Sequence, residues 1–399
     1  MSDILPAFFS STLTTLSIST NTTAAPPGEP SPLEMQVAGL IHTCPSLTRL
    51  QTFATHSEEF VNAAIEFAYS CSRLESFIVD GNDWWSVELL QHLARQPWLQ
   101  KVRLAILGEA AADLRFLDNA TLHYPFPALQ KLWITVPTLA PCVELIGLMH
   151  TCALHTLDVE CLEKIERLDL AELFYTLRVH CTLDTLQAVQ VLNPFDGKWS
   201  PPLEDRRNKD AYVVLDDLWP LFDFPNMRVF LIELHMLFHF DNNILFYLAD
   251  AWPLLVDLRL ASYSLYCDTW ITWAGLAYLL WKCPQLVFVC VAWDARSDDI
   301  ELVTGNPDFR PNRDLRILWT ANSILGPGHD SDVERFANLL WSIAPKIQSL
   351  NGFAHENPAL DIVAPADTNA FYSQAESIMW ELRRTRMREE FGFLDAYGM

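Results

Sequence analysis

Apolar residues recur along this chain in a short motif that appears about twelve times. Each copy follows an apolar stretch, often has Pro at its second position, and continues Leu-x-x-Leu-x-(Val/Leu/Ile). A repeated unit of this size is typical of a solenoid, in which each unit buries its apolar face against its neighbours. The clearest copies are CPSLTRL (44–50), QPWLQKVRL (96–104), FPALQKLWI (126–134), WPLLVDLRL (252–260) and CPQLVFVCV (283–291).

The motif predicts one strand per copy, because its apolar anchors alternate with polar residues at the two-residue period of a strand. The copies are about 30 residues apart, which leaves room for a helix of about three turns and two loops. The first anchors of the copies are Leu13, Leu47, Leu74, Leu99, Leu129, Leu154, Leu183, Met227, Leu255, Leu286, Leu315 and Ile347.

The segments before the motif have helical spacing. Residues 57–70 place Phe60, Ala64 and Phe67 on one face, with Ser57 as a candidate N-cap. The Pro of the motif cannot extend a helix and forces the preceding residue out of the helical region, so each helix ends there. Further helices are predicted at 86–95, 143–150, 243–251, 270–281 and 332–343.

The repeating order of helix, turn, strand and loop predicts an α/β solenoid of 11 or 12 irregular repeats, with a curved parallel sheet inside and helices outside. The Leu-x-x-Leu-x-Leu core, the small Cys before it and the spacing resemble leucine-rich repeats. They are most similar to the irregular repeats attached to fungal F-box proteins, over roughly residues 5–355. The resemblance implies a scaffold like the substrate-recognition region of a ubiquitin-ligase subunit. The Asn or Cys that usually closes the repeat signature is mostly missing, so we expect no regular Asn ladder.

We expect the repeats to occupy residues 1–360, with loop insertions near 19–33 and 193–210, and residues 361–399 to form a linker and a C-terminal helix. That helix carries Arg383, Arg384, Arg386 and Arg388 in an acidic chain, together with apolar residues that include Trp380. It either caps the last repeat, with its aromatic side chains covering the core, or is a mobile arm for an acidic partner. At the other end, Phe8 and Phe9 are too apolar for a free cap, and no F-box-like bundle precedes the first repeat. We therefore expect a lost N-terminal partner domain, or association through that end.

Composition narrows the possible partners and location. The net charge of −23, from 27 basic and 50 acidic residues, disfavours binding to nucleic acid or to anionic membranes. No secretory signal is recognisable, and the uncharged apolar run at 270–281 is too short to span a bilayer. The nine cysteines are odd in number and several recur at one repeat position, so we expect buried thiols in a cytoplasmic or nuclear protein.

Chemistry-bearing motifs are weak. His235 and His239 are four residues apart, but Met236 stands where a zinc-protease helix needs Glu. The sequence contains no nucleophile elbow, phosphate-binding loop or dinucleotide fingerprint, and the acidic clusters at 80–83, 294–299 and 330–332 lack calcium-loop spacing. We therefore expect no catalytic residue, no metal and no cofactor.

Binding is expected on the inner strand face, where the third and fifth residues of each motif point away from the core. In the first half these positions are polar and include a basic patch, whereas in the second half they are apolar. A large exposed apolar patch usually marks a binding site, although a register shift or coverage by the C-terminal segment would remove it. The predicted protein-binding residues are Lys101, Arg103, Lys131, Trp133, Leu231, Arg259, Phe288 and Trp319.

The sequence thus indicates a non-enzymatic protein-interaction scaffold. A ubiquitin-ligase adaptor is expected as a partner only if an F-box lies upstream. The alternatives are a leucine-rich-repeat ligand-binding or effector protein outside that pathway, and an enzyme whose cleft no motif reveals.

Overall fold

The computed structural model describes residues 12–19, 44–53, 58–79, 86–107, 114, 125–149, 151–193, 212–262, 269–320, 323, 330–351 and 366–391. Twelve strands form one sheet, in which they follow one another in chain order. Two further short strands pair only with each other. Every strand pairing whose register is defined is parallel. This confirms the predicted parallel α/β repeat fold. The strands are β1 (Thr15–Ser19), β2 (Arg49–Phe53), β3 (Ser76–Val79), β4 (Lys101–Ala105), β5 (Lys131–Val136), β6 (Thr156–Cys161), β7 (Ala188–Leu192), β8 (Tyr212–Val213), β9 (Val229–Leu234), β10 (Leu237–Phe238), β11 (Asp257–Ser262), β12 (Phe288–Cys290), β13 (Ile317–Trp319) and β14 (Ser349–Asn351).

A tight turn explains the start of the motif. The N–H of Leu286 donates to the carbonyl of Cys283 at 3.1 Å, and the N–H of Leu255 donates to that of Trp252 at the same distance. These are four-residue β-turns with Pro at their second position, where its fixed φ is favourable. The Cys283 N–H in turn donates to Leu279 at 2.9 Å, so the preceding helix ends where the turn begins.

One shared carbonyl sets the register between consecutive repeats. The Gln100 carbonyl accepts the N–H of Gln130 at 2.8 Å and that of Lys131 at 2.9 Å. The Val256 carbonyl likewise accepts from Val287 at 2.8 Å and from Phe288 at 3.2 Å. Because this carbonyl always belongs to the residue after the first anchor, equivalent residues of successive repeats are paired.

From Leu47 onward, every predicted first anchor except Leu183 is buried, as the predicted register requires. In β6, Leu157, Val159 and Cys161 are fully buried while the residues between them are half-buried. The prediction was wrong at Leu183, which is 40% exposed, whereas Leu186 is fully buried. Leu186 is therefore the anchor of that repeat, because a longer turn before β7 moves the anchor three residues beyond its predicted position.

The helices lie between the strands, mostly within a few residues of their predicted bounds. Ser86 caps the second helix, since its hydroxyl oxygen accepts the N–H of Leu89 at 3.2 Å. Ser57, the residue predicted to cap the first helix, lies outside the described residues. The helices are α1 (Glu58–Ser70), α2 (Val87–Ala94), α3 (Ala140–Leu148), α4 (Arg167–His180), α5 (Leu215–Leu218), α6 (Asn242–Ala251), α7 (Trp273–Lys282), α8 (Glu301–Thr304), α9 (Asp330–Ile343) and α10 (Ala366–Phe391), with a 3₁₀ turn at Trp219–Asp223.

Contacts divide the chain into two compact units. Unit 1 comprises 1–164 and 172–189, and unit 2 comprises 165–171 and 190–399. Within unit 2, β8 and β10 pair separately in parallel, and Arg167 forms an ion pair with the buried Asp217 at 2.9 Å. The predictions for residues 1–11, and for most of both insertions, lie outside the described residues.

The C-terminal helix α10 packs against α9 and β14 in unit 2. Tyr372, Ala375 and Met379 are buried there, whereas Trp380, predicted to cover the last repeat, is 56% exposed. The Glu376 carboxylate accepts the N–H of Leu350 in β14 at 2.6 Å, and Arg383 donates to the carbonyl of Ile347. Backbone N–H and carbonyl groups stay unpaired at the free edge of a sheet, and here α10 supplies partners for two of them. These contacts therefore support the capping alternative.

The first prediction tests the register. Leu258 is fully buried, so Leu258→Ala is expected to lower the free energy of unfolding by about 2–5 kcal/mol. Leu254→Ala in the same repeat is the control, because that side chain is 37% exposed. Urea unfolding of both variants measures the difference, and an equal small loss in both would contradict the assigned register.

The second prediction tests the cap. Truncation after Asp361 removes Tyr372 and Met379, and is expected to lower the melting temperature and promote aggregation with little dependence on moderate salt. Met379→Ala is expected to reproduce part of this loss, and Trp380→Ala little of it. Melting of the truncated chain at the temperature of the full chain would instead favour the mobile arm.

Candidate functional site

The open face of the unit 1 sheet carries two rows of side chains set by the parallel register. In one row Lys101 lies opposite Lys131, and in the other Trp133 lies between Arg103 and Asp158. All five side chains are half-buried, whereas their strand neighbours Val102 and Leu132 point into the core and are fully buried. The structure thus brings together the four predicted binding residues of the first half. We call Lys101, Arg103, Lys131, Trp133 and Asp158 the basic face.

Lys101 and Lys131 are directly opposite each other on adjacent parallel strands, which lie about 4.8 Å apart. Like charges in this position destabilise a sheet. Neither ammonium group forms an ion pair with a carboxylate in the described part of the chain. By contrast, Arg49 in β2 is paired with Glu75 at 2.8 Å. The two lysines therefore offer positive charge that the described protein does not neutralise.

Asp158 is the acidic member of the basic face. Burial raises the pKa of its carboxyl group to about 6; Arg103 acts in the opposite direction, and Glu160 adds to the rise. Glu160 itself accepts a hydrogen bond from the buried Thr135 hydroxyl at 3.2 Å. A carboxyl group with this pKa loses part of its negative charge at mildly acidic pH, which makes the basic face more positive. The sequence pattern placed Asp158 on this face but gave no sign of its shifted pKa.

The open face of unit 2 differs from the expected exposed apolar patch. Leu231 and Phe288 are 5% and 9% exposed, so these two predicted binding residues are buried. Arg259 lies 4.1 Å over the Phe288 ring, and Trp319 contacts that ring edge-on with centroids 5.0 Å apart. Ala261 and Cys290 belong to the same cluster and are fully buried. Because their side chains are small, the rings of Phe288 and Trp319 can lie close to the sheet.

Arg259 is also held by Asp257, through hydrogen bonds of 3.0 and 2.8 Å that engage both carboxylate oxygens. Its charge is therefore compensated, unlike that of the two lysines in unit 1. Of the four predicted binding residues in the second half, only the half-buried Arg259 and Trp319 remain accessible.

Groups that could support other chemistry are sparse in the described ranges. They contain no set of three or more His, Cys, Asp or Glu residues arranged to hold a metal ion. His235, of the HMLFH pair, is buried, whereas His239 is exposed and contacts the Tyr212 ring. Within the same ranges, no helix combines the length and the hydropathy that a bilayer crossing requires.

Comparisons with known proteins add a likeness of shape. No family model matches the chain, and no curated protein matches it. Among solved structures, a chain in the crystal structure of the Rad7 and Elc1 complex in yeast is similar, with a TM-score of 0.46 and 14% sequence identity. The match covers 92% of this chain and 85% of that one.

The third prediction concerns Asp158. In the folded protein, the pKa of the Asp158 carboxyl group is raised to about 6, above the ordinary value near 4. The protonated carboxyl group therefore contributes to stability below pH 4, and this contribution is lost as the pH rises through 6. Asp158→Asn should therefore stabilise the protein by roughly 2 kcal/mol at pH 7.5 and hardly at all at pH 4. Urea unfolding at both pH values tests this.

Asp308→Asn serves as the control, since Asp308 is exposed. An equal effect of Asp158→Asn at both pH values would show that the carboxyl group does not titrate between them.

Proposed function

We propose that this protein is a non-enzymatic protein-interaction scaffold that recognises an acidic segment of its partner through the basic face. The observation that carries the proposal is the uncompensated Lys101–Lys131 pair on the open side of a rigid parallel sheet. Repeat scaffolds of this type bind through an extended face made from equivalent positions of successive repeats.

The placement of charge favours an anionic partner. The chain carries a net charge of −23. Two adjacent lysines that have no carboxylate partner among the described residues are therefore unusual in it. Acidic side chains of a partner would relieve the repulsion between them and gain charge-assisted hydrogen bonds. Because the rest of the surface is acidic, a long phosphate backbone would be repelled outside this patch. A short acidic protein segment fits both conditions.

Trp133 adds an apolar contact next to the charges. Its ring is half-buried between the register neighbours Arg103 and Asp158. Trp and Arg are enriched among the residues that dominate binding energy at protein interfaces. We therefore expect the bound segment to combine acidic residues, which lie on the lysines, with an apolar or aromatic side chain that packs on Trp133.

The resemblance of the repeats to those of F-box proteins gives a narrower form of the proposal. In that form the basic face selects substrates for a ubiquitin ligase, and an adaptor is recruited by a separate domain. The alternative is a ligand-binding or effector role outside that pathway. Ubiquitination of a protein that carries the selected acidic segment, dependent on this chain, would support the narrower form; binding without ubiquitination would favour the alternative.

The fourth prediction tests the basic face. A phage library of random 12-residue peptides is selected on the full chain, and the enriched peptides are synthesised with a fluorescent label. We expect these peptides to be acidic and to contain an aromatic residue. Lys101→Glu combined with Lys131→Glu should weaken their binding at least about tenfold, which corresponds to 1.4 kcal/mol. Fluorescence polarisation measures the affinities, and raising the salt concentration should weaken binding to the unchanged protein.

Lys346→Glu is the matched control, because Lys346 is an exposed lysine in unit 2, outside the basic face. Thermal unfolding confirms that each variant is folded. Enrichment of basic peptides, or equal affinity for the double variant and the control, would contradict the proposal.

A further inference from the structure

Cys152 and Cys181 occupy corresponding places in consecutive repeats of unit 1, before β6 and before β7. They are paired as an isolated parallel bridge. The Cys152 N–H donates to the His180 carbonyl, and the Thr182 N–H donates to the Cys152 carbonyl, both at 2.9 Å. Paired residues on adjacent strands have Cα atoms about 5 Å apart, which is within the range that a disulfide spans.

The two thiols face each other in this bridge. Their Sγ atoms are 3.4 Å apart, within hydrogen-bonding distance, and both cysteines are free. The residues are 7% and 6% exposed, so a small oxidant has limited access to them and a large one has none. Rotation of the side chains is enough to bring the sulfur atoms to the bonding distance of about 2.05 Å, because the backbone already has the required spacing.

We infer that Cys152 and Cys181 form a redox-sensitive pair, which a peroxide converts to a disulfide that links two consecutive repeats. The Cys152 thiolate attacks one peroxide oxygen; the O–O bond breaks, and hydroxide leaves. The Cys181 thiol then attacks the sulfur of the resulting sulfenic acid, forming the S–S bond and releasing water. Overall, two thiols and one hydrogen peroxide give one disulfide and two waters, so the cysteines lose two electrons to the peroxide.

The surroundings assign different roles to the two sulfurs. The hydrogen-bonding contact with Cys181 lowers the pKa of Cys152 below the ordinary thiol value, against the effect of burial. The same contact and burial raise the pKa of Cys181. The lower pKa favours Cys152 as the sulfur that reacts first, with Cys181 as the thiol that resolves the sulfenic acid. Buried Cys283 shows the contrasting case, since desolvation raises its pKa to about 12 and leaves it unreactive.

The disulfide would act on stability. It closes a loop that contains β6 and α4, and such a link restricts the unfolded chain more than the folded one. We expect the oxidised protein to melt about 5 °C above the reduced protein.

The experiment uses the full chain, treated with a small excess of hydrogen peroxide and then alkylated under denaturing conditions. Compared with untreated protein that is alkylated in the same way, we expect two fewer alkyl groups, a proteolytic fragment that contains both Cys152 and Cys181, and reversal by dithiothreitol. Cys152→Ser and Cys181→Ser should each abolish the cross-linked fragment. Cys71→Ser should leave it unchanged, because Cys71 is a half-buried thiol whose Sγ bonds to the Leu47 carbonyl at 3.4 Å.

Two results would overturn the inference. One is stable sulfinic acid at Cys152 in the unchanged protein without cross-linking. The other is a cross-link that joins different cysteines, so that it survives Cys181→Ser. If either serine variant fails to fold, the cross-linked fragment and the melting temperature of the unchanged protein, compared before and after dithiothreitol, decide the question.

Discussion

The fold depends on one backbone interaction that recurs in successive repeats. The carbonyl after the first anchor accepts two N–H groups of the following repeat, as Gln100 does from Gln130 and Lys131. A slip of one residue would break both bonds and turn the apolar anchors to the open face. The interaction therefore fixes the parallel register and, with it, which side chains can form a surface.

The basic face follows from that register. Lys101 and Lys131 are 30 positions apart in sequence, yet they are direct neighbours because each follows its anchor by two residues. This arrangement lowers the stability of the sheet, because the two ammonium groups repel each other at this distance. The acidic partner that we propose would supply the opposite charge and relieve this repulsion.

The same repetition accounts for the cysteines. A small side chain fits where the helix ends and the strand approaches, and Cys152, Cys181 and Cys283 are all buried at such places. Between Cys152 and Cys181 the repetition brings two of them onto paired residues, so that two packing residues become a potential chemical pair. Packing and reactivity therefore have a common origin in the repeat.

The sequence by itself determined the repeats, the β-turn at Pro, the end of each helix and the alternation of strand side chains, because these depend on local spacing and backbone restrictions. It could not determine what depends on contacts between distant residues. The shift from Leu183 to Leu186 arises from the length of one turn, and the burial of Phe288 depends on the small neighbours Ala261 and Cys290. The raised pKa of Asp158 and the 3.4 Å sulfur contact likewise exist only once separate repeats are stacked, since desolvation and proximity are properties of the tertiary structure.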